Sequence, residues 1–441
     1  MSIGRNSTIG MAADALVFGL SIVVSVVLTR SLGPDQRGVY ALLVATNVLL
    51  ANIGYLGVSH AISPMLARGK YRLGEVNTIS MLLALTLGAI FVLVTTLAFP
   101  FLGGNLFANI PYYYLLVPLV LTISTLYQIY WNSMMIGISR VGLMYRLNLI
   151  TNTLNALLMI AAVGLLRLGI PGFLAAWSLS ALFNTVGMML IALRIEPLSW
   201  PVNRVALRDL LGFGLRVHGT SVAHQIFLRF DVYLINPLLG TRAVGFYSLS
   251  TSLAEKLWLP LNAINTSSTS KIAQLPHDES ALLTAKLSRT ALLMMLSIAL
   301  PFALVSPFLI PALYGSEFIA SVLPLIILLA GTVGFAVMQV LNIYIIGQMQ
   351  RPGLLSIISW LQLAVSIPLY IVLILWQGII GAALASAATY ILAMLCTIYI
   401  FLRDSGLPLR AVLLPRPDDI RDYVRIFRAG LNRVQFVIRN L

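Results

Sequence analysis

Six polar side chains fall inside one otherwise apolar stretch of the chain: Arg216, His218, His224, Gln225, Arg229 and Asp231. At 100° per residue His218, Gln225 and Arg229 share one helical face, while Arg216, His224 and Asp231 cluster on nearly the opposite one. Charges at membrane depth cost roughly 2.5–3.5 kcal/mol each on insertion scales, so they face a hydrated cavity or a partner. Two arginines in such a cavity would hold an anion. The structural alternative pairs Arg229 with Asp231 or with a neighbouring helix. Their i,i+2 spacing puts the two on different sides, which argues against an intimate pair. Arg216 has a further alternative, snorkelling to an interface about a turn and a half away.

Other polar positions fall into two groups. Glu255 and Lys256 sit inside a later apolar stretch, and Asp14 lies about two turns into the first. Lys256 is a further candidate for a cationic cavity. Asp14, Asp231 and Glu255 are candidates for coupling to an ion, because burial raises a carboxyl pKa toward neutrality; a salt bridge is the competing role for Asp14 and for Glu255. Gln128 with Asn132 and Asn148 with Asn152 and Asn155 recur at i, i+4 or i+7, near Tyr127 and Tyr130. With Gln225, these amides suit hydroxyl-rich ligands such as sugars, although amide stripes also bind helices together.

No catalytic constellation accompanies them. There is no phosphate-binding glycine loop followed by Lys, no HExxH and no Cys–His arrangement. The single Cys396 makes no intrachain disulfide, and His218 and His224 are too isolated for a metal site. The expectation is therefore no enzyme, no metal and no cofactor, with work drawn from an ion gradient or from consumption of product.

The elements that position these residues follow from composition. Of 441 residues 59% are hydrophobic and 10% charged, with a mean hydropathy of +0.95. Apolar stretches of the ~20 residues that a spanning helix needs recur at about 8–29, 39–58, 76–98, 112–137, 143–166, 171–193, 210–237, 243–264, 287–311, 319–346, 354–376 and 379–402. The fold expected is an all-α polytopic membrane protein of twelve transmembrane helices. Pro118, Pro260, Pro301 and Pro368 inside spans are tolerable in lipid, where neighbouring helices re-satisfy freed carbonyls.

Placing both termini in the cytoplasm puts 21 of the 28 Lys and Arg residues on that side. Only Arg30, Arg37, Arg167 and Arg242 lie outside, and Arg216, Arg229 and Lys256 fall within spans. That bias orients the chain in a cytoplasmic membrane. Nucleic-acid binding is set aside, since no basic folded domain carries the charge.

The chain also repeats itself. Leu32-Gly33, Gly38, Tyr40 and Leu42 recur 207 residues later as Leu239-Gly240, Gly245, Tyr247 and Leu249. Gly169-Ile170-x-Gly172 recurs 209 residues later as Gly378-Ile379-x-Gly381, and Asn132 and Gly137 match Asn342 and Gly347. The expectation is two pseudo-symmetric six-helix bundles: an N-terminal lobe 1–200, a C-terminal lobe 201–403 and a basic cytoplasmic tail 404–441. Because six is even, the repeats are parallel, and a substrate path commonly lies between such halves. The tail carries Ile420, Tyr423, Val424, Phe427 and Leu431 at helical spacing, with Arg421, Arg425 and Arg428 on another face. It either lies on the anionic inner leaflet or docks on the protein's own loops.

Thr29-Arg30-Ser31-Leu32-Gly33-Pro34-Asp35-Gln36-Arg37-Gly38-Val39-Tyr40-Ala41 resembles the first-loop signature of bacterial polysaccharide transporters of the O-antigen flippase (Wzx) type. The stretch from Arg229-x-Asp231 through Leu239-Gly240 to Gly245-Phe246-Tyr247-Ser248 is similar to that family's second-half counterpart. The likeness covers 1–403. It implies the multidrug/oligosaccharidyl-lipid/polysaccharide exporter fold and an undecaprenyl-diphosphate-linked oligosaccharide turned over between leaflets by alternating access. Partners expected are that substrate, membrane lipids, H+ or Na+, and a polysaccharide polymerase with chain-length proteins in surface glycan or lipopolysaccharide assembly. Lipid II flippases of the superfamily usually carry two further C-terminal spans. A multidrug or organic-cation antiporter is the alternative, favoured by Asp14 and disfavoured by the basic excess within spans. A scaffold without transport is the third reading.

Overall fold

The computed structural model describes residues 3–107 and 110–421, apart from the side chains of 3–15 and of positions 102, 105, 220, 262–264, 266, 267 and 270. The expected tail helix beyond 421 and the Asp14 side chain lie outside the described residues. The chain is all-α, and no strand occurs among the described residues.

α1 (Ile3–Gly54) is two helices joined at Gly33, whose φ of 67° and ψ of 176° belong to a region essentially restricted to glycine. Pro34 then opens the second helix, where its missing N–H satisfies nothing that a helix start could bond. α2 (Val58–Ala67), α3 (Leu73–Leu106), α4 (Tyr112–Gly137), α5 (Val141–Met159) with a π-turn at Ile160–Leu165, and α6 (Gly169–Ile195) follow. The second series is α7 (Arg204–Leu239), α8 (Thr241–Lys256), α9 (Leu259–Gln274), α10 (His277–Tyr314), α11 (Val322–Gly347) and α12 (Pro352–Ser405), the last broken at Gln377 and Gly378.

Among the described residues eight helical stretches are long and apolar enough to cross a membrane by length and composition. Two of them, Leu16–Gly54 and Pro352–Ser405, each contain a break, at Gly33 and at Gln377–Gly378. α7, less apolar than those stretches, is not among them, and α8 and α9 have 16 residues each. The expected span 243–264 is thus interrupted. Pro260 stands at the start of α9 and marks that break, whereas the helix runs on through Pro118, Pro301 and Pro368.

The sequence repeat recurs as repeated geometry. Gly240 (φ 83°, ψ 172°) turns α7 into α8 with nearly the dihedrals of Gly33. Gly169 and Gly378 share positive φ, 61° and 59°. A Cβ on Gly172 would stand 3.1 Å from the Ala162 carbonyl oxygen, and one on Gly381 would collide with the Leu373 carbonyl, so both glycines pack on the helix end just before them. Gly137 rests on Ser63 of α2, as Gly347 rests on Ala273 of α9.

By contacts the chain divides into two compact units, Met1–Ser248 with Leu313–Phe318, and Leu249–Ala312 with Ile319–Leu441. Tyr127, Tyr130, Trp131 and Met134 of α4 centre the core of the first. Val337, Leu341 and Tyr344 of α11 with Ile398 and Phe401 of α12 centre a core of the second. Within the first unit the two glycine turns interlock. A Cβ on Gly38 would collide with the Thr241 carbonyl, and one on Gly245 with the Pro34 carbonyl. The backbones touch because neither glycine has a side chain.

Replacing Gly245 by Val is expected to destabilise the folded protein by about 3 kcal/mol or abolish its folded yield, because the obstacle is backbone that cannot repack. Gly19→Ala, with nothing within 4 Å of the added carbon, is expected to be neutral or slightly stabilising. Thermal unfolding in detergent separates the two.

Candidate functional site

The site begins with how α3 and α7 start. Glu75 accepts the Arg72 backbone N–H at 2.9 Å, capping α3, and its other oxygen accepts the Asn203 side-chain amide at 2.9 Å. Asn203 in turn caps α7, its Oδ1 accepting from Val205 N and Ala206 N at 3.1 Å each. One carboxylate therefore ties two helix N-termini together. Arg72 also pairs with Glu196 at 2.8 Å, and Thr78 Oγ1 accepts the Ser199 N–H at 3.0 Å, so the linker lies along the start of α3.

From that anchor the first turns of α7 project Arg204, Arg208 and Arg216 into a cavity of about 650 Å³. Met65 and Lys70 complete the wall with Val205, Asp209, Gly212 and Phe213. Four cations face one carboxylate, and that carboxylate is taken. Asp209 accepts from Lys70 Nζ at 2.6 Å and from the Tyr71 hydroxyl at 2.6 Å. Those two hydrogen bonds hold the Asp209 carboxyl below its ordinary range. The same hydrogen bond holds the Lys70 ammonium above its range, and the Tyr71 hydroxyl is likewise pushed up by its bond to Asp209. Arg204 and Arg216 have no ion-pair partner among the described residues. The cavity therefore carries an excess of positive charge.

Above the cavity α7 lies against the first-half helices. Gly57, in a left-handed turn, and Gly214 meet backbone to backbone. His218 Nε2 donates to the Ile53 carbonyl at 2.8 Å, and its ring stands edge-on to Tyr55 at 5.1 Å. Tyr233 donates to Thr46 Oγ1 at 2.9 Å, and Asn236 donates to the Leu106 carbonyl at 2.9 Å. Deeper still Asp231 is buried, accepting from Tyr247 at 2.9 Å and from its neighbour's N–H, Val232 N, at 2.7 Å.

Of the residues singled out in the sequence, Arg216 lines the cavity and His218 faces α1 instead. Arg229 and Gln225 are half-buried further along α7, and Arg229 is engaged by neighbours. Gln128 and Asn132 are half-buried on α4; the Asn132 Oδ1 is buried without a hydrogen-bond partner, as is that of Asn342, its repeat counterpart. Asn152 is exposed and spends its amide on the Asn148 carbonyl at 2.7 Å. Asn155 accepts from Ser180 of α6 at 3.0 Å, a helix-joining role. Glu255 and Lys256, half-buried at the end of α8, belong to the second unit and are both engaged. Lys70, Arg204 and Arg208 entered the sequence reading only as interfacial charge. The i, i+4, i+12 spacing of Arg204, Arg208 and Arg216, which keeps them toward one side of a helix, was the signal for them.

The architecture is that of membrane transporters of the multidrug/oligosaccharidyl-lipid/polysaccharide exporter class. The structure is similar to a lipid II flippase, MurJ, in an inward closed conformation, at TM-score 0.72 and 14% identity, covering 90% of each chain. It is similar to an inward-facing multidrug resistance MATE family transporter of the MOP superfamily, at TM-score 0.68 and 16% identity over 88% of this chain and 94% of that one. A Vibrio cholerae MATE transporter, VcmN, matches at TM-score 0.64 and 16% identity, over 92% and 99%. At such identities the likeness shows the fold alone. No curated protein matches by sequence. The family described as polysaccharide biosynthesis protein matches residues 3–269, and the chain belongs to it. It is a multi-pass membrane protein of a transporter and flippase fold.

The Lys70–Asp209–Tyr71 clasp has a defined pH dependence. Asp209 is depressed in the folded chain, so the clasp is intact above the ordinary Asp pKa of about 3.9 and is lost as pH falls through the lower folded value. Amide exchange across residues 66–73 is expected to be slow in the wild type at neutral pH and fast in Asp209→Asn at every pH.

Proposed function

We propose that the protein is a flippase carrying an undecaprenyl-diphosphate-linked oligosaccharide from the inner to the outer leaflet of the bacterial cytoplasmic membrane. The observation that carries this reading is the α7 cavity, where Arg204, Arg208 and Arg216 stand beside a single, already committed carboxylate. Membership of a polysaccharide biosynthesis family agrees with a glycan cargo. A diphosphate headgroup cannot cross about 30 Å of hydrocarbon without hydration or countercharge. Charge-assisted hydrogen bonds from arginine, roughly 1.5–3 kcal/mol each, offset that cost.

In this reading the chain crosses the membrane twelve times, counting α7 and the broken α8–α9 pair, with both termini cytoplasmic. The cavity then opens on the cytoplasmic face. Arg229 lies 13 residues beyond Arg216, about 20 Å along the helix and on nearly the opposite face, where neighbours engage it, so it would meet the phosphates only once the α7 seam opens. The α7 seam at Gly57–Gly214, His218–Ile53 and Tyr233–Thr46 parts as access alternates. The buried, unmatched Oδ1 of Asn132 suits a sugar hydroxyl donor. Proton or sodium coupling would act at Asp231 by releasing Tyr247, or at Asp14 or Glu255. An organic-cation exporter would need free carboxylates at the cavity, and Asp209 is occupied by Lys70 and Tyr71.

The test is reconstitution with a fluorescent polyprenyl-diphosphate sugar. Changing Arg204, Arg208 and Arg216 together to Gln is expected to reduce flipping at least about tenfold, equivalent to one charge-assisted contact, with folded yield unchanged. Arg216→Lys is expected to keep part of the rate. Normal flipping in the triple variant, or a preference for organic cations over the sugar lipid, overturns the assignment.

A further inference from the structure

A second cationic cavity lies in the other unit, remote in sequence from α7. Its volume is about 510 Å³, and its walls come from one stretch of α10 and from the segment that follows α12. Leu282, Ala285, Lys286 and Arg289 supply one side; Leu407, Pro408, Arg410 and Ala411, then Leu414 to Pro417, supply the other.

This cavity is built rather than incidental. Arg289 is buried and clamps the tail, donating from Nε to Asp419 at 2.6 Å, from Nη2 to the other Asp419 oxygen at 3.2 Å, and from Nη1 to the Ala411 carbonyl. Asp419 also accepts the Arg416 backbone N–H at 2.9 Å, closing the first turn of the helix at 417–421. Burial would raise the Asp419 carboxyl, but the hydrogen bonds from Arg289 and Arg416 outweigh it, so Asp419 stays ionised below its ordinary range. The one acid at the clamp is thereby balanced by Arg289. Arg410 and Arg416, both exposed on the wall, add positive charge to the cavity, and Lys286, engaged by neighbours, stands beside them.

The rim decides between a soluble anion and a lipid. Leu282 (56% exposed), Leu409 (49%), Leu414 (62%) and Ile420 (50%) surround the cations with bare apolar surface. Cations set beside exposed leucines match an amphiphile whose phosphate enters the cavity while its acyl chains lie outside. We propose that this cavity binds the headgroup of an anionic phospholipid and thereby pins the segment after α12 to the leaflet on that face. The site is separate from the α7 cavity and does not depend on its assignment.

The test uses the full chain in detergent and reads binding of phosphatidylglycerol, phosphatidylcholine and inorganic phosphate by native mass spectrometry and thermal shift. Phosphatidylglycerol is expected to bind and stabilise the wild type, with phosphatidylcholine and phosphate giving much smaller effects. Changing Lys286, Arg410 and Arg416 together to Gln is expected to weaken phosphatidylglycerol binding on the order of 100-fold, while Arg410→Lys with Arg416→Lys retains it. Both variants leave the Arg289–Asp419 clamp in place, and unchanged melting without lipid confirms that they fold. Equal protection by inorganic phosphate overturns the lipid assignment in favour of a free-anion site. Undiminished phosphatidylglycerol binding by the Gln variant overturns the site itself.

Discussion

Two carbonyl oxygens, those of Pro34 and Thr241, each occupy the place where a glycine lacks a side chain. A membrane helix satisfies its own backbone, so helices in lipid gain little by approaching except where small residues admit close contact. Gly38 and Gly245 provide that contact at the two turns, and Gly57 with Gly214 provides it again further along. The exposed Asp35–Arg242 pair at 3.7 Å adds little, being solvent-facing. What holds α7 beside α1 is therefore backbone apposition plus a few directed hydrogen bonds. Such a seam rests on close backbone contact and directed bonds rather than on a large apolar area.

The charge on α7 gains meaning from that packing. Its start is capped twice over, through Asn203 and Glu75, so Arg204 and Arg208 emerge from a fixed helix end rather than a loose linker. Gly212, with no Cβ and open space beside it, leaves room before Arg216. Among the described residues Lys70 is the cavity cation with a carboxylate bonded to it, and it reaches that acid from a different element. The clasp thus closes one wall without cancelling the arginines. Positive potential concentrated in a recess, with low-dielectric walls, attracts anions more strongly than the same charges spread on a surface.

Much of this was legible in the sequence, for a specific reason. Paired glycines at a constant offset report backbone demands, and the structure meets those demands at Gly33 and Gly240, Gly169 and Gly378, and Gly172 and Gly381. Proline was less transparent: Pro118 and Pro260 read alike, yet one sits mid-helix and the other opens a new helix. Periodicity placed His218 and Arg229 on one face but could not say what that face meets. The Ile53 carbonyl that His218 bonds lies in the last turn of α1, where intrahelical partners run out. That orphan acceptor exists only because the chain breaks at Tyr55 to Gly57, and the apolar pattern runs smoothly through that break. Lys70, Arg204 and Arg208 were hidden differently. Sorting charges by depth assigned them to an interface, whereas their convergence depends on how the 68–72 turn folds back over α7.

The two ends of the repeat illuminate one another. After α6 the linker lies against the start of α3, through Arg72–Glu196, Thr78–Ser199 and Glu75–Asn203. The end of α12 and the chain after it lie against α10, through His277–Asp404 at 3.1 Å and the Arg289–Asp419 clamp respectively. Each series therefore ends by returning to an earlier helix of its own, α3 in the first and α10 in the second, and a basic recess lies at each return. In the first unit the returning chain continues as α7 and the recess is the candidate route. In the second it leads into a helical stretch that begins at 417, and the recess has an apolar rim around it. The same return thus gives a recess continuous with a long helix in one unit and a recess ringed by exposed leucines in the other, and the apolar ring is what matches the proposed lipid headgroup.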